Sequence, residues 1–235
     1  MTITTRPGAP RAILFDLDGT LADTAPDLAA AVNLLRSARG LAPTPYALLR
    51  PTASAGARGM IGVAFGLRPE DPGYEALRQG FFDNYAAAMA VHSVLFPGVP
   101  ELLDGIAELG LAWGIVTNKP MRFTDPLVGL IGLGHAACTV SGDSTAHAKP
   151  HPAPLLEAAR QLGLAPEQCW YVGDDLRDIE AGRAAGMYTV ACGWGYGGAD
   201  APLGWGADQV LDSAAALLAL VKAALDAPAR AALAA

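Results

Sequence analysis

Asp16 and Asp18 stand two positions apart in the run Phe15-Asp16-Leu17-Asp18-Gly19-Thr20-Leu21. In extended backbone that spacing turns both carboxylates to one side. Like charges so close are costly unless a cation compensates them or they act on a bound group. Gly19 and Thr20 let the chain turn tightly behind the pair and supply N–H and hydroxyl donors. Three other places carry matching chemistry. Ile115-Val116-Thr117-Asn118-Lys119 ends an apolar run in a hydroxyl and an amide, Lys149-Pro150 puts a cation in a loop, and Tyr171-Val172-Gly173-Asp174-Asp175-Leu176-Arg177-Asp178 ends a run in glycine and three carboxylates. Each has an ordinary reading: an Asp-rich turn, a helix cap, a solvated lysine, an acidic helix start favoured by the dipole. Together they put an Asp pair, a hydroxyl, a cation and a second Asp cluster at successive strand ends, where an open parallel sheet builds its site.

The elements that must position these residues are legible as an alternation. Short apolar runs at Ala12–Phe15, Ala112–Val116, Ala137–Val140, Trp170–Val172, Tyr188–Ala191 and Gln209–Leu211 have the two-sided apolarity of central parallel strands. Between them Val99–Glu108, Arg122–Leu130, Pro154–Leu162 and Asp178–Ala185 carry helical spacing, followed by Gly110, Gly132, Gly163 and Gly186 as stops. This predicts an α/β fold with a Rossmann-like parallel sheet. From Asp23 to Phe96 the rhythm breaks: only helical patterns occur, at Asp27–Arg39, Tyr46–Arg50, Gly59–Phe65 and Tyr74–Ala90. A stretch that long without a strand predicts an inserted helical domain. The expected division is a core of residues 1–22 and 97–235 and a helical insert of residues 23–96, with hinge material at Asp23-Thr24 and Phe96-Pro97-Gly98. The Ala-rich tail after Ser213 reads as a terminal helix.

Composition narrows the partners. Of 235 residues 52% are hydrophobic and 17% charged, which excludes a disordered chain. Sixteen basic against 23 acidic residues give a net charge of −7, opposing a broad nucleic-acid or anionic-membrane surface. The longest apolar stretch, Ala214–Val221, is too short to span a bilayer, and the opening MTITTRPGAP lacks the pattern of a secretory signal. Cys138, Cys169 and Cys192 form no CxxC pair, and the four histidines have no metal-ligand spacing. The expectation is a soluble, reduced, cytoplasmic protein, a monomer or homodimer, that meets no nucleic acid and no membrane.

The four motifs in this order, DLDGT, the strand-end Thr117, Lys149 and GDDLRD, with a helical insert after the first, resemble the haloacid-dehalogenase superfamily of phosphohydrolases over essentially the whole chain. The TNKP and GDDLRDI sequences and the place of the insert are similar to its phosphoglycolate phosphatase branch. Within that branch Ser54–Arg58, Val91–Ser93, Trp113–Phe123 and Trp205–Asp208 resemble the bacterial N-acetylmuramate-6-phosphate phosphatases. The resemblance implies a phosphatase whose insert is a C1-type cap closing over the site. Asp16 would attack phosphorus to form an aspartyl-phosphate, and Asp18 would serve as acid and then base. Mg²⁺ would be held by the Asp16 carboxylate, the Asp18 carbonyl and the Asp174 carboxylate. Thr117, Asn118 and Lys149 would bind the phosphate; Asp178, and less directly Asp175, would orient these groups from behind. Asp175 stands where many relatives carry Ser or Thr, adding negative charge near the metal. Arg58, read with Gly56-Ala57-Arg58-Gly59 as compliant backbone carrying a two-pronged donor, is the candidate for a substrate carboxylate. The implied substrate is a small carboxylated phosphometabolite, 2-phosphoglycolate or N-acetylmuramate 6-phosphate. A hexose-phosphate mutase, which uses the same Asp pair, and a non-catalytic phosphometabolite-binding module are the alternatives.

Overall fold

The computed structural model describes residues 8–197 and 201–226, so residues 1–7, 198–200 and 227–235 of the expected core lie outside it. In chain order come β1 (Ala12–Phe15), β2 (Ala22–Asp23), α1 (Ala25–Ser37), α2 (Tyr46–Leu49), α3 (Gly56–Phe65), α4 (Tyr74–Ala87) and β3 (Val94–Leu95). There follow α5 (Val99–Glu108), β4 (Ala112–Val116), α6 (Met121–Leu130), β5 (Thr139–Val140), α7 (Ala153–Leu162), β6 (Cys169–Gly173), α8 (Leu176–Ala184), β7 (Tyr188–Cys192), β8 (Gln209–Leu211) and α9 (Ala214–Leu225). The sheet is parallel throughout, in the order β5-β4-β1-β6-β7-β8. Leaving β1 the chain first builds one side of it, β4 and β5, then crosses to build the other. β1 is therefore the switch point, and the crevice lies beyond its carboxyl end.

All four residues of β1 are fully buried. Its alternation feeds two apolar layers. Ile13 and Phe15 join Leu102 and Ile106 of α5, Leu127 of α6 and Leu217 and Val221 of α9. Ala12 and Leu14 join Leu155 and Ala158 of α7 and Ala181 of α8. The result is the expected three-layer α/β arrangement, and all four expected glycine stops have left-handed backbone.

The insert differs from expectation in two respects. It is not strand-free at its edges: β2 and β3 pair antiparallel, Ala22 with Leu95 and Asp23 with Val94. Two-residue strands are too short to show an alternation, and this pair forms only when the chain returns. The ribbon brings entry and exit together. Second, α3 begins at Gly56 rather than Gly59, so Arg58 sits on a helix and not on compliant backbone. A Cβ at Gly59 would strike the Thr52 carbonyl and Ala55; this glycine is there for close packing. Within the insert Leu28, Val32 and Leu35 of α1 bury themselves with Leu77, Phe81 and Tyr85 of α4.

Candidate active site

Six of the nine residues singled out in the sequence, Asp16, Asp18, Thr117, Lys149, Asp174 and Asp178, are buried at the carboxyl ends of β1, β4 and β6. Lys149 is the hub. Its Nζ lies 2.8 Å from Asp16 Oδ1, 2.7 Å from Asp178 Oδ1, 2.7 Å from Tyr171 Oη and 2.9 Å from the Val116 carbonyl. Burial opposes its charge, but Asp16 and Asp178 hold the ammonium above its ordinary value. Asn118 lines the cavity beside Thr117. Its amide donates to the Lys149 carbonyl (2.9 Å) and accepts from the Lys149 N–H (2.9 Å), clamping that loop to the end of β4. The Asn118 side chain thus also seats the lysine.

Burial pushes the Asp16 carboxyl up to about 7 against the pull of Lys149. Asp174 is driven well above the carboxylate range by burial and by the neighbouring Asp16 and Asp178. Among the described residues its donors are neutral: Thr20 Oγ1 at 3.2 Å, Ser54 Oγ at 3.4 Å and the Tyr196 N–H at 3.0 Å. Gly19, at φ +94, and Gly195 press against it so closely that a Cβ at either would overlap its carboxylate. Asp178 is committed, through one oxygen to Lys149 and through the other to the Asp175 N–H.

A divalent cation fits this donor set. Carboxylate oxygens of Asp16, Asp174 and Asp178 lie within 4.8 Å of one another. With Asp18 they bring four carboxylates, against two ammoniums, Lys149 and Lys119. The deficit is two positive charges, and the donors are hard oxygens of the kind Mg²⁺ takes.

Four contributions escape the sequence motifs. Lys119 reaches Asp18, 2.8 Å from Oδ1 and 3.0 Å from Oδ2; Thr24 donates to the same carboxylate. Arg177 makes a two-pronged pair with Asp175, 2.7 and 2.8 Å, and donates to the Ser54 carbonyl at 2.9 Å. Although burial opposes it, Arg177 holds Asp175 below the usual carboxylate range, so the extra charge expected near the metal is neutralised at once. Asp175 also caps α8 by accepting from the Arg177 N–H. Tyr85, from α4, lays its ring over Lys119 Nζ at 4.8 Å. Lys119 and Arg177 were within reach, lying inside the motifs themselves; Ser54 stood in a stretch read for its resemblance alone, and Tyr85 carried no signal beyond helical pattern.

Asp16, Asp18, Thr117, Lys119, Lys149 and Asp178 lie on the floor of a cavity of about 380 Å³. Its roof comes from the insert: Ser54, Arg58, Tyr74, Arg78, Phe81 and Phe82. Arg58 is exposed, at the first turn of α3; Arg78 is tied to Glu75 at 2.6 Å. Trp194 and Tyr196 do not line the cavity but brace the first motif, Trp194 donating to the Thr20 carbonyl and Tyr196 Oη accepting from the Thr24 and Ala25 N–H groups.

Comparison with known proteins agrees with this layout. Residues 10–186 match the family model of haloacid dehalogenase-like hydrolases, and the chain belongs to that family. It is 45% identical over 217 residues to the N-acetylmuramic acid 6-phosphate phosphatase of Pseudomonas aeruginosa, covering 92% of this chain and 96% of that one. It is 47% identical over 205 residues to the phosphoglycolate phosphatase of Xanthomonas campestris, covering 86% and 92%. The crystal structure of a predicted phosphoglycolate phosphatase from Haemophilus somnus superposes with a TM-score of 0.79 at 28% identity, covering 90% of this chain and 98% of that one. Among the described residues no helix is long and apolar enough to cross a membrane.

Proposed function

We propose that this protein is a Mg²⁺-dependent phosphomonoesterase that works through an aspartyl-phosphate on a small carboxylated phosphometabolite. The observation that carries the reading is the buried constellation of Asp16, Lys149, Asp174 and Asp178 at the mouth of β1, two positive charges short of neutrality, with the Asp18–Lys119 pair beside it. Asp16 attacks phosphorus, splitting one displacement into two easier ones. Asp18 gives a proton to the leaving alkoxide and then takes one from the attacking water. Thr117 and Lys149 hold the transferring phosphoryl oxygens, and Asn118 and Asp178 keep Lys149 in place. The Asp16 and Asp174 carboxylates and the Asp18 carbonyl would hold Mg²⁺, which would supply charge neutralisation when bound. The insert, residues 23–96, acts as the cap that excludes water and selects the organic group.

For the substrate the cavity supports N-acetylmuramate 6-phosphate over 2-phosphoglycolate. A volume of about 380 Å³ and a roof containing Tyr74, Phe81 and Phe82 suit a sugar ring better than a two-carbon acid. The named relatives include phosphatases for both substrates. Purified protein with Mg²⁺, assayed on both compounds and on a panel of sugar phosphates, tests this. A higher kcat/KM for the amino sugar is expected; preference for 2-phosphoglycolate overturns the substrate, and release of no phosphate from any ester overturns the phosphatase.

A further inference from the structure

The motif that ends β4 supplies more than the phosphate-binding hydroxyl. Three anchors fix the backbone at Lys119. Its N–H donates to Thr117 Oγ1 at 3.1 Å, while its carbonyl accepts from the Gly142 N–H at 2.9 Å and from Thr124 Oγ1 at 3.1 Å. From that fixed point the side chain is buried and ends with Nζ against both oxygens of Asp18, 2.8 and 3.0 Å away. Its other face is covered by the Tyr85 ring at 4.8 Å, and Tyr85 belongs to the insert. The Tyr85 ring is itself held edge-on by Phe123 of α6, centroids 5.4 Å apart. The Tyr85 hydroxyl is buried without a hydrogen-bond partner among the described residues. The carboxylate that accepts from Lys119 Nζ is thus the proposed acid and base.

We propose that Lys119 is a positioning residue for leaving-group chemistry: it holds the Asp18 carboxyl at the departing oxygen, and the insert completes the hold by seating Tyr85 over the ammonium. The inference rests on the role of Asp18 proposed above. A two-contact grip fixes the plane of a carboxylate, which a single hydroxyl from Thr24 does not. Lys149 makes no comparable contact with Asp18; it serves Asp16 and Asp178. The two buried lysines divide the reaction between them, one on the nucleophile's side and one on the leaving group's. Covering Lys119 with an aromatic ring from the insert also removes water from the pair, which strengthens it.

The test uses the full-length protein with Mg²⁺ and two probes of nearly the same shape, 4-nitrophenyl phosphate and phenyl phosphate. Their leaving groups differ in their need for a proton. Asp18→Asn establishes the reading beneath: it should lower kcat far more on phenyl phosphate than on the nitro ester, and equal losses overturn the acid role of Asp18. Given that split, Lys119→Met should reproduce it, with roughly a hundredfold loss on phenyl phosphate and under tenfold on the nitro ester. The double variant should be no slower than Asp18→Asn alone, because the two residues act as a unit. Lys119→Arg should restore part of the phenyl phosphate rate, and Tyr85→Leu should show the same split, smaller. Equal losses on both probes, a rise in KM with kcat kept, or additivity with Asp18→Asn would each assign Lys119 to phosphate binding or to folding and overturn the proposal. Inorganic phosphate protection in a thermal melt, measured on every variant, separates misfolding from altered chemistry.

Discussion

On the floor of the cavity the charged side chains are buried or half-buried and most are answered by an opposite charge: Asp16 and Asp178 by Lys149, Asp18 by Lys119, Asp175 by Arg177, while Asp174 meets neutral donors. On the roof Arg58 is exposed at the first turn of a helix, among the rings of Tyr74, Phe81 and Phe82. The floor rides on the ends of three adjacent parallel strands, whose register fixes it to the backbone. The roof rides on helices joined to the sheet through a two-residue ribbon. The difference separates two tasks. Phosphoryl transfer needs charges held rigidly before the substrate arrives, because reorganisation during reaction is what catalysis avoids. Selection of the organic group needs side chains that meet a substrate from solvent and close on it. Contacts that bridge the halves include Arg177 with the Ser54 carbonyl, Ser54 Oγ with Asp174 and Tyr85 over Lys119.

The comparison breaks most sharply at Asp16. Asp16→Asn keeps the shape but cannot attack phosphorus, so turnover should fall at least about a thousandfold on every ester, with circular dichroism and melting unchanged in character. A variant retaining most activity would remove Asp16 from the nucleophile's place and with it the rigid-floor argument.

Arg58 should behave in the opposite, selective way. Arg58→Ala should lower kcat/KM for a carboxylated substrate by roughly ten- to a thousandfold, the scale of one charge-assisted contact, and leave phenyl phosphate little affected. Arg58→Lys, which keeps charge but loses the fork, should recover only part. A uniform fall on both substrates would place Arg58 in cap closure instead. Smaller again is Arg177→Ala. It frees the Ser54 carbonyl and uncovers Asp175, and should raise KM by up to about tenfold for all substrates, since the tie it cuts is between floor and roof. Unchanged kinetics would show that the bridge carries nothing.

Much of the floor was legible because its residues close short strands: Asp16, Asp18, Thr117 and Asp174 follow directly from apolar runs that had to be central strands. The partners were not, because pairing is a property of the folded chain. Lys119 and Asp18 are 101 residues apart, Arg177 and Ser54 123. Asn118 shows the same limit from the other side: an amide at a strand end looks like a ligand, and the sequence does not show that one of its N–H groups and its oxygen also clamp the Lys149 backbone. Within the insert, helix existence was readable from spacing, but the start of α3 was not, since a glycine pair reads as loop until the close approach to Thr52 is seen.

The smallest effect expected is one of stability, and it distinguishes floor from roof without any turnover. Burial carries Asp16 from 3.8 up to about 7 and lifts Asp174 as well. Between about 4 and 7 the folded, metal-free protein therefore holds protons that the unfolded chain has released. The native state binds more protons in that window, so its stability falls as pH rises through it. A divalent cation seated among these carboxylates competes with those protons. Its stabilisation should be slight at pH 5, where protons already neutralise the pocket, and larger at pH 8. Thermal melts with Mg²⁺ against EDTA should show a gain in Tm several degrees greater at pH 8 than at pH 5. Asp174→Asn should abolish most of that gain at either pH, while Arg58→Ala, exposed on the roof, should leave it intact. An equal gain at both pH values would mean that the carboxylates of the floor are not the cation's seat.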